Sequence, residues 1–208
     1  MVRPRVLLYR ARRWLVQRPF IVEGRQRRYA DFVVRCGLLP EYSIVDVGSG
    51  PEGVSGTLGR FNDQNRIVAL DLFARDVQTA PNVTFVVGDA TSMPFADCEF
   101  DIAFCNSLIE HLPPPAQRAL ADEIRRVARG YWVQTPNRYF PIEPHQLIVG
   151  YQFLPRRIRR SLDRRLGGTG GYAELLTRRD LLALFPDAEL YEERVAGLVK
   201  SFAAYRAA

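Results

Sequence analysis

Lysine is almost absent from this chain of 208 residues: Lys200 stands alone among 29 basic residues, and the rest are arginine. Cysteine is scarce too. Cys36, Cys98 and Cys105 are odd in number and widely spaced, which argues against a disulfide framework and against a zinc site built on paired thiolates. They read as reduced thiols. Long hydrophobic runs are missing, and none approaches the roughly 18 residues that a membrane span requires. The arginine-studded start has no apolar stretch of the kind found in a secretory leader. These absences lead us to expect a cytoplasmic protein, neither secreted nor integral to a membrane. Histidine occurs only at positions 111 and 145, so few side chains are suited to moving a proton near neutral pH. The length fits one domain, residues 1–208, with enough buried surface for a single core.

What the chain has in excess is positive charge, and that charge is clustered. Of the net +6, residues 1–35 hold +8, residues 136–176 hold +4, and the remainder is −6. A mildly acidic body therefore carries two basic appendages. Residues 5–16 set Val6, Leu7, Leu8, Ala11, Trp14 and Leu15 at helical spacing among arginines, the pattern of a basic amphipathic helix. Such a helix either covers the domain or docks on an anionic membrane or acidic partner. A second helix is expected over 27–39, with Tyr29, Phe32, Val33 and Cys36 on one face and Gly37 and Pro40 as its stop. Together, residues 1–40 read as N-terminal basic helices.

The stretch around which the chain is organised is 43–53, Ser-Ile-Val-Asp-Val-Gly-Ser-Gly-Pro-Glu-Gly. An apolar, β-branched run broken at once by glycines describes a buried strand ending in a turn where backbone approaches a ligand. Gly48 and Gly50 lack the Cβ atoms that would block that approach. Asp71 ends the next apolar run, at the spacing a ribose-binding carboxylate needs in a βαβ nucleotide site. This pair selects an adenosine-type cofactor without separating NAD from S-adenosylmethionine. Third and fourth strands follow over 82–87 and 100–105; Gly88-Asp89-Ala90 leaves the one, and Asn106 to Leu112 leaves the other.

With these four motifs in order, residues 28–205 resemble the class I S-adenosylmethionine-dependent methyltransferases, in particular the small type 11 domain. The resemblance implies an α/β fold: a seven-stranded Rossmann-like sheet, mostly parallel with an antiparallel final strand, and helices on both faces. It implies S-adenosylmethionine as cofactor, with the methionine end at Asp46, Gly48, Ser49 and Gly50. The ribose falls to Asp71 beside Leu72, the adenine to Asp89 and Ala90, and the pocket closes at Asn106. One departure is visible, since Glu52 occupies the place of the family's third glycine and Gly53 comes one residue late.

Crossover helices are expected over 54–61 and 73–79. After Pro113-Pro114-Pro115 a helix should run over 116–128, stopped by Gly130, before a fifth strand at 131–135. Residues 136–176 break the alternation with prolines, aromatics, arginines and a glycine run; an insertion of this length reads as a substrate lid. Thr177 and Asp180 have the form of a helix N-cap, and two closing strands flank Gly197.

Methyl transfer from sulfur needs alignment above all. A base is needed only when the acceptor must lose a proton, and His145, Glu143 and His111 are the catalytic candidates. No metal ligand set is indicated. The expected activity is O-methylation of a small-molecule, saccharide or lipid-linked acceptor, with peripheral contact at an anionic membrane. The alternatives are a noncatalytic cofactor-binding or membrane-surface protein and, with less support, a nucleic-acid methyltransferase. Amino-directed enzymes of that last kind carry N/D/S-P-P-Y/F where this chain has Asn106-Ser107-Leu108-Ile109.

Overall fold

In the computed structural model the described residues are 19–49, 64–73, 80–143, 148–155, 157–159, 161–162 and 173–208, with main chain only at 19–23, 25 and 143. The expected helix over 5–16, the crossover helix over 54–61 and all but the first residue of the one over 73–79 lie outside them. Seven strands form one sheet: β1 (Ser43–Val47), β2 (Arg66–Asp71), β3 (Val83–Val87), β4 (Phe100–Asn106), β5 (Ala128–Pro136), β8 (Glu189–Val195) and β9 (Leu198–Arg206). Their order is β3-β2-β1-β4-β5-β9-β8. The first five are parallel, and β9 inserts antiparallel between β5 and β8. A two-stranded ladder, β6 (Ile142–Glu143) with β7 (Ile148–Val149), stands apart within the insertion.

Strand side chains alternate between faces, and the core divides accordingly. On one face Ile44, Ile67, Ile102, Phe104 and Trp132 pack with Phe32 of α1 (Pro19–Arg35) and with Cys36 just beyond it. The Phe32 ring meets Phe104 edge-on at 5.0 Å between centroids. On the other face Val45, Val47, Leu70, Ala103 and Val133 pack with Leu120, Ile124 and Val127 of α2 (Pro114–Val127) and Leu181 of α3 (Arg178–Leu184). The central strands are apolar on both faces because both are covered.

Polar side chains fix how α1 lies across the sheet. Arg28 pairs with Glu193 at 3.1 Å, and Lys200 and Ser201 add 3.0 and 2.6 Å contacts to the same carboxylate. The Tyr191 hydroxyl donates to Asp31, and the Arg35 guanidinium lies over the Tyr191 ring. At the other end of the sheet, buried Asn65 donates to the carbonyls of Leu39, Pro40 and Tyr42, tying the approach to β1 to the start of β2.

Two expectations need correction. Among the described residues the helix expected over 27–39 spans Pro19–Arg35, ending ahead of Gly37, through which the chain turns at φ 61°. Gly130 does not stop α2. That helix ends at Val127, Ala128 is already extended, and Gly130 lies inside β5. Its role is close approach: a Cβ there would stand 2.7 Å from the Arg206 carbonyl oxygen and the Ala208 nitrogen. The capping box at Thr177 forms as expected, with Thr177 Oγ1 accepting from Asp180 N, and the Asp180 carboxylate from Thr177 N.

Since the atoms that a Cβ at 130 would meet are backbone, Gly130→Ala must displace the C-terminal end of β9. A loss of about 1–3 kcal/mol is expected, read as a fall of several degrees in Tm.

Candidate active site

The site lies at the carboxyl ends of β1, β2 and β4. There the register sets Val47 beside Leu70 on one side and Cys105 on the other. Gly48 leaves β1 at φ 73°, a backbone conformation that side chains disfavour, and its N–H donates to the Leu70 carbonyl at 2.8 Å. A Cβ at 48 would lie 2.8 Å from Leu108 Cδ2, so Leu108 roofs the turn. Ser49 N–H donates to the same Leu70 oxygen at 3.2 Å, while its hydroxyl is buried with no hydrogen-bond partner among the described residues.

Alternation puts three polar side chains on the α1 face: Asp46 after Ile44, Asp71 after Ala69 and Asn106 after Phe104. Asp46 is buried, and burial, with the Asp71 charge behind it, pushes its pKa up to about 7. Such an acid is poised to be ionised by an incoming cation. Asp71 is half-buried, and its Oδ1 accepts from Phe73 N–H at 3.2 Å. Beyond it Leu72 and Phe73 are 57% and 63% exposed, an apolar surface next to a carboxylate.

Asp89 follows β3 and is exposed, and its Oδ1 caps its own turn, accepting from Thr91 N–H and Oγ1 at 2.8 Å each. Those bonds hold its pKa below the usual range. Ala90 is partly buried against the core. At the end of β4, Asn106 pairs with Gln134 of β5, and Ser107 takes φ 57° with its N–H on the Gln134 carbonyl. The chain then enters a short 3₁₀ turn, Ile109–His111, whose last residue is exposed. His111 is thus brought to the same edge as Asn106. Glu143 sits in β6 with only its main chain described, and Gly50 and His145 lie outside the described residues.

With that geometry in view, one family match and three similar proteins bear on identity. Residues 45–130, from the first strand into the fifth, match the family described as methyltransferase domain. A demethylmenaquinone methyltransferase from Renibacterium salmoninarum is 24% identical over 193 residues, covering 88% of this chain and 77% of that one. The PH0226 protein of Pyrococcus horikoshii shares the fold at a TM-score of 0.61 and 16% identity, over 91% of this chain and 92% of that one. A Burkholderia thailandensis 1,6-didemethyltoxoflavin-N1-methyltransferase, solved with bound 1,6-didemethyltoxoflavin and S-adenosylhomocysteine, gives a TM-score of 0.59 at 17% identity, over 97% of this chain and 84% of that one. The chain thus carries a methyltransferase domain at residues 45–130, on a fold shared with S-adenosylmethionine-dependent methyltransferases.

The residues present suit that cofactor. The chain offers a turn with no Cβ at 48, a buried hydroxyl at Ser49 and a buried acid on the same face as Asp71. No group of three or more potential metal ligands occurs among the described residues. Sequence reasoning passed over Glu110, which is fully buried and accepts from Thr135 Oγ1 at 3.1 Å. With Asp46 it raises the pKa of buried Cys105, after burial itself. The available sign was an acid inside the apolar run Leu108-Ile109-Glu110-His111-Leu112.

Asp46 also gives a pH dependence. Its folded pKa of about 7 lies above its ordinary 3.8, so between these values the folded chain binds more protons than the unfolded one. Its contribution to stability therefore falls as pH rises through this window and is flat above it. Relative to the parent, Asp46→Asn should gain Tm progressively from pH 4 to pH 7, by several degrees at pH 8. Thermal melts across that range check it.

Proposed function

We propose that the methyltransferase transfers its methyl group to an oxygen of a small-molecule, saccharide or lipid-linked acceptor. The observation that carries the reading is the co-facial set Asp46, Asp71 and Asn106 beside the Gly48 turn at the carboxyl edge of the sheet. S-adenosylmethionine, when bound, supplies a methyl on a cationic sulfur whose neutral thioether leaves without acid catalysis. The chain holds the two partners in line, an orientation worth about 7–11 kcal/mol in favourable cases. In this reading Gly48, Ser49 and Gly50 cradle the methionine end and Asp46 faces its positive charge. Asp71 accepts from the ribose hydroxyls with Leu72 alongside, Asp89 and Ala90 border the adenine, and Asn106 lines the methyl.

An oxygen acceptor must lose a proton, and a positioned base adds roughly 10²–10⁴-fold. Glu143 and His145, on the insertion, and His111, after β4, are proposed for base or acceptor binding. The insertion's exposed apolar side chains favour an acceptor with a lipid portion. Tyr139, Val149 and Phe153 are 66%, 74% and 56% exposed, and the Tyr139 and Phe153 rings stack at 6.5 Å. Exposed Arg138 and Arg157 accompany them, which suits peripheral contact with an anionic membrane.

Asp71→Ala should weaken S-adenosylhomocysteine by about 1–3 kcal/mol in calorimetry, through loss of the ribose hydrogen bonds. Unchanged affinity would move the ribose elsewhere. His145→Ala should lower kcat toward the labelled acceptor recovered from extracts incubated with isotopically labelled S-adenosylmethionine, with cofactor affinity kept. Loss of cofactor binding in that variant would make His145 structural.

A further inference from the structure

A cleft of about 490 Å³ opens beside the site, on the α2 and α3 side of the sheet. Three arginines line it: Arg118 from the first turns of α2, Arg138 just after β5 and Arg159 from the insertion. Among the described residues no carboxylate forms an ion pair with any of them. Two acids also line the cleft: Asp180, whose carboxylate is engaged by Thr177 N–H and Oγ1 in the α3 cap, and Glu174, so the three guanidiniums leave a net positive lining. Arg159 Nε is buried with no hydrogen-bond partner among the described residues, and so is Gln152 Oε1 in the same cleft. The Gln152 amide is oriented by its other end, which donates to the Arg138 and Phe140 carbonyls. Its oxygen is therefore an acceptor awaiting a donor.

A buried cationic donor and a buried acceptor left unmade are each costly, and such groups in folded proteins normally have a partner. The partner that satisfies both presents anionic oxygens to the guanidiniums and a hydroxyl to Gln152. Guanidinium forks match phosphate and carboxylate. The N-terminal end of α2, at Pro114, adds a favourable dipole.

The cleft is joined to the methyl site by one strip of chain. Gln117 Nε2 donates to the Ile109 and Leu112 carbonyls, and Glu174 N–H to the Glu110 carbonyl, so both cleft residues brace the 3₁₀ turn. That turn continues from Leu108, the roof over Gly48.

We propose that this cleft binds the phosphate- or carboxylate-bearing end of the methyl acceptor, next to a hydroxyl, while its reactive oxygen lies across the Leu108–Leu112 strip. The proposal rests on the acceptor reading above. Its probe is inorganic pyrophosphate, titrated by calorimetry into the full chain with S-adenosylhomocysteine bound. Saturable binding is expected, weakened at least tenfold in Arg118→Gln/Arg159→Gln while S-adenosylhomocysteine affinity stays within twofold. Pyrophosphate should also slow labelling of acceptor in extracts by the parent protein, and slow it less in the variant. Binding of equal strength in the variant overturns the proposal. So does absence of pyrophosphate binding to a parent that binds S-adenosylhomocysteine, or binding that leaves labelling unaffected. Failure of the parent to bind S-adenosylhomocysteine would instead remove the cofactor reading on which the acceptor depends. If the double variant loses cofactor binding, Arg138→Gln, an exposed position, takes its place under the same criteria.

Discussion

The parallel register of β1 between β2 and β4 is the constraint on which the site depends. Parallel strands end together, so residues far apart in sequence emerge at one edge: Asp46 and Gly48 from β1, Asp71 from β2, Asn106 from β4. A shift of one residue would turn every one of these side chains to the opposite face. The apolar alternation forbids it, because Ile44, Ile67 and Ile102 would then exchange places with Val45, Val68 and Ala103 against differently shaped cores. Hydrogen bonds at the strand starts hold the same register: Asp101 accepts from Ser43 N–H and Oγ, each at 2.9 Å.

The two cores then divide the work. The α1 face carries the polar side chains of Asp46, Asp71 and Asn106, and α1 is anchored at the far edge by Glu193, Asp31 and the stacked Arg35. Glu193 remains ionised although burial opposes it, because Arg28, Ser201 and Lys200 surround it and bring its pKa below the ordinary value. Such a paired carboxylate does little for net stability compared with an apolar replacement, but it fixes position: loss of one partner strands a charge. The α2 face carries Glu110 and the arginine cleft. The turn over Ile109–His111 touches both faces, through Leu108 at Gly48 and through Gln117 and Glu174 at the cleft.

Asp46 shows how a stability cost can serve the site. Held near a pKa of 7 by burial and by Asp71, it disfavours its own ionisation in the folded chain. A cation brought beside it relieves that cost, so binding and ionisation are coupled. The opposite arrangement holds at Asp89, exposed and lowered in pKa by its own turn, where ionisation is assured and one oxygen is already committed.

Much of this was legible in the amino-acid order because it depends on local rules. Period-two apolar runs gave the strands nearly to the residue, Thr177 and Asp180 declared a cap, and Gly48 declared a backbone conformation that only glycine adopts readily. Glycine misled once: at 130 it meets a neighbouring strand rather than ending a helix, and no local rule separates the two. The strand order β3-β2-β1-β4-β5-β9-β8, the Asn65 tether, the burial of Glu110 and the meeting of Arg118, Arg138 and Arg159 were decided only by tertiary structure. Each of these depends on contacts between distant segments, whose energies are set by burial and mutual distance rather than by sequence neighbours. The sequence by itself determined the elements and the polar residues at the carboxyl edge of the sheet; three-dimensional packing decided which charges stand together, because their distances are set by contacts between distant segments.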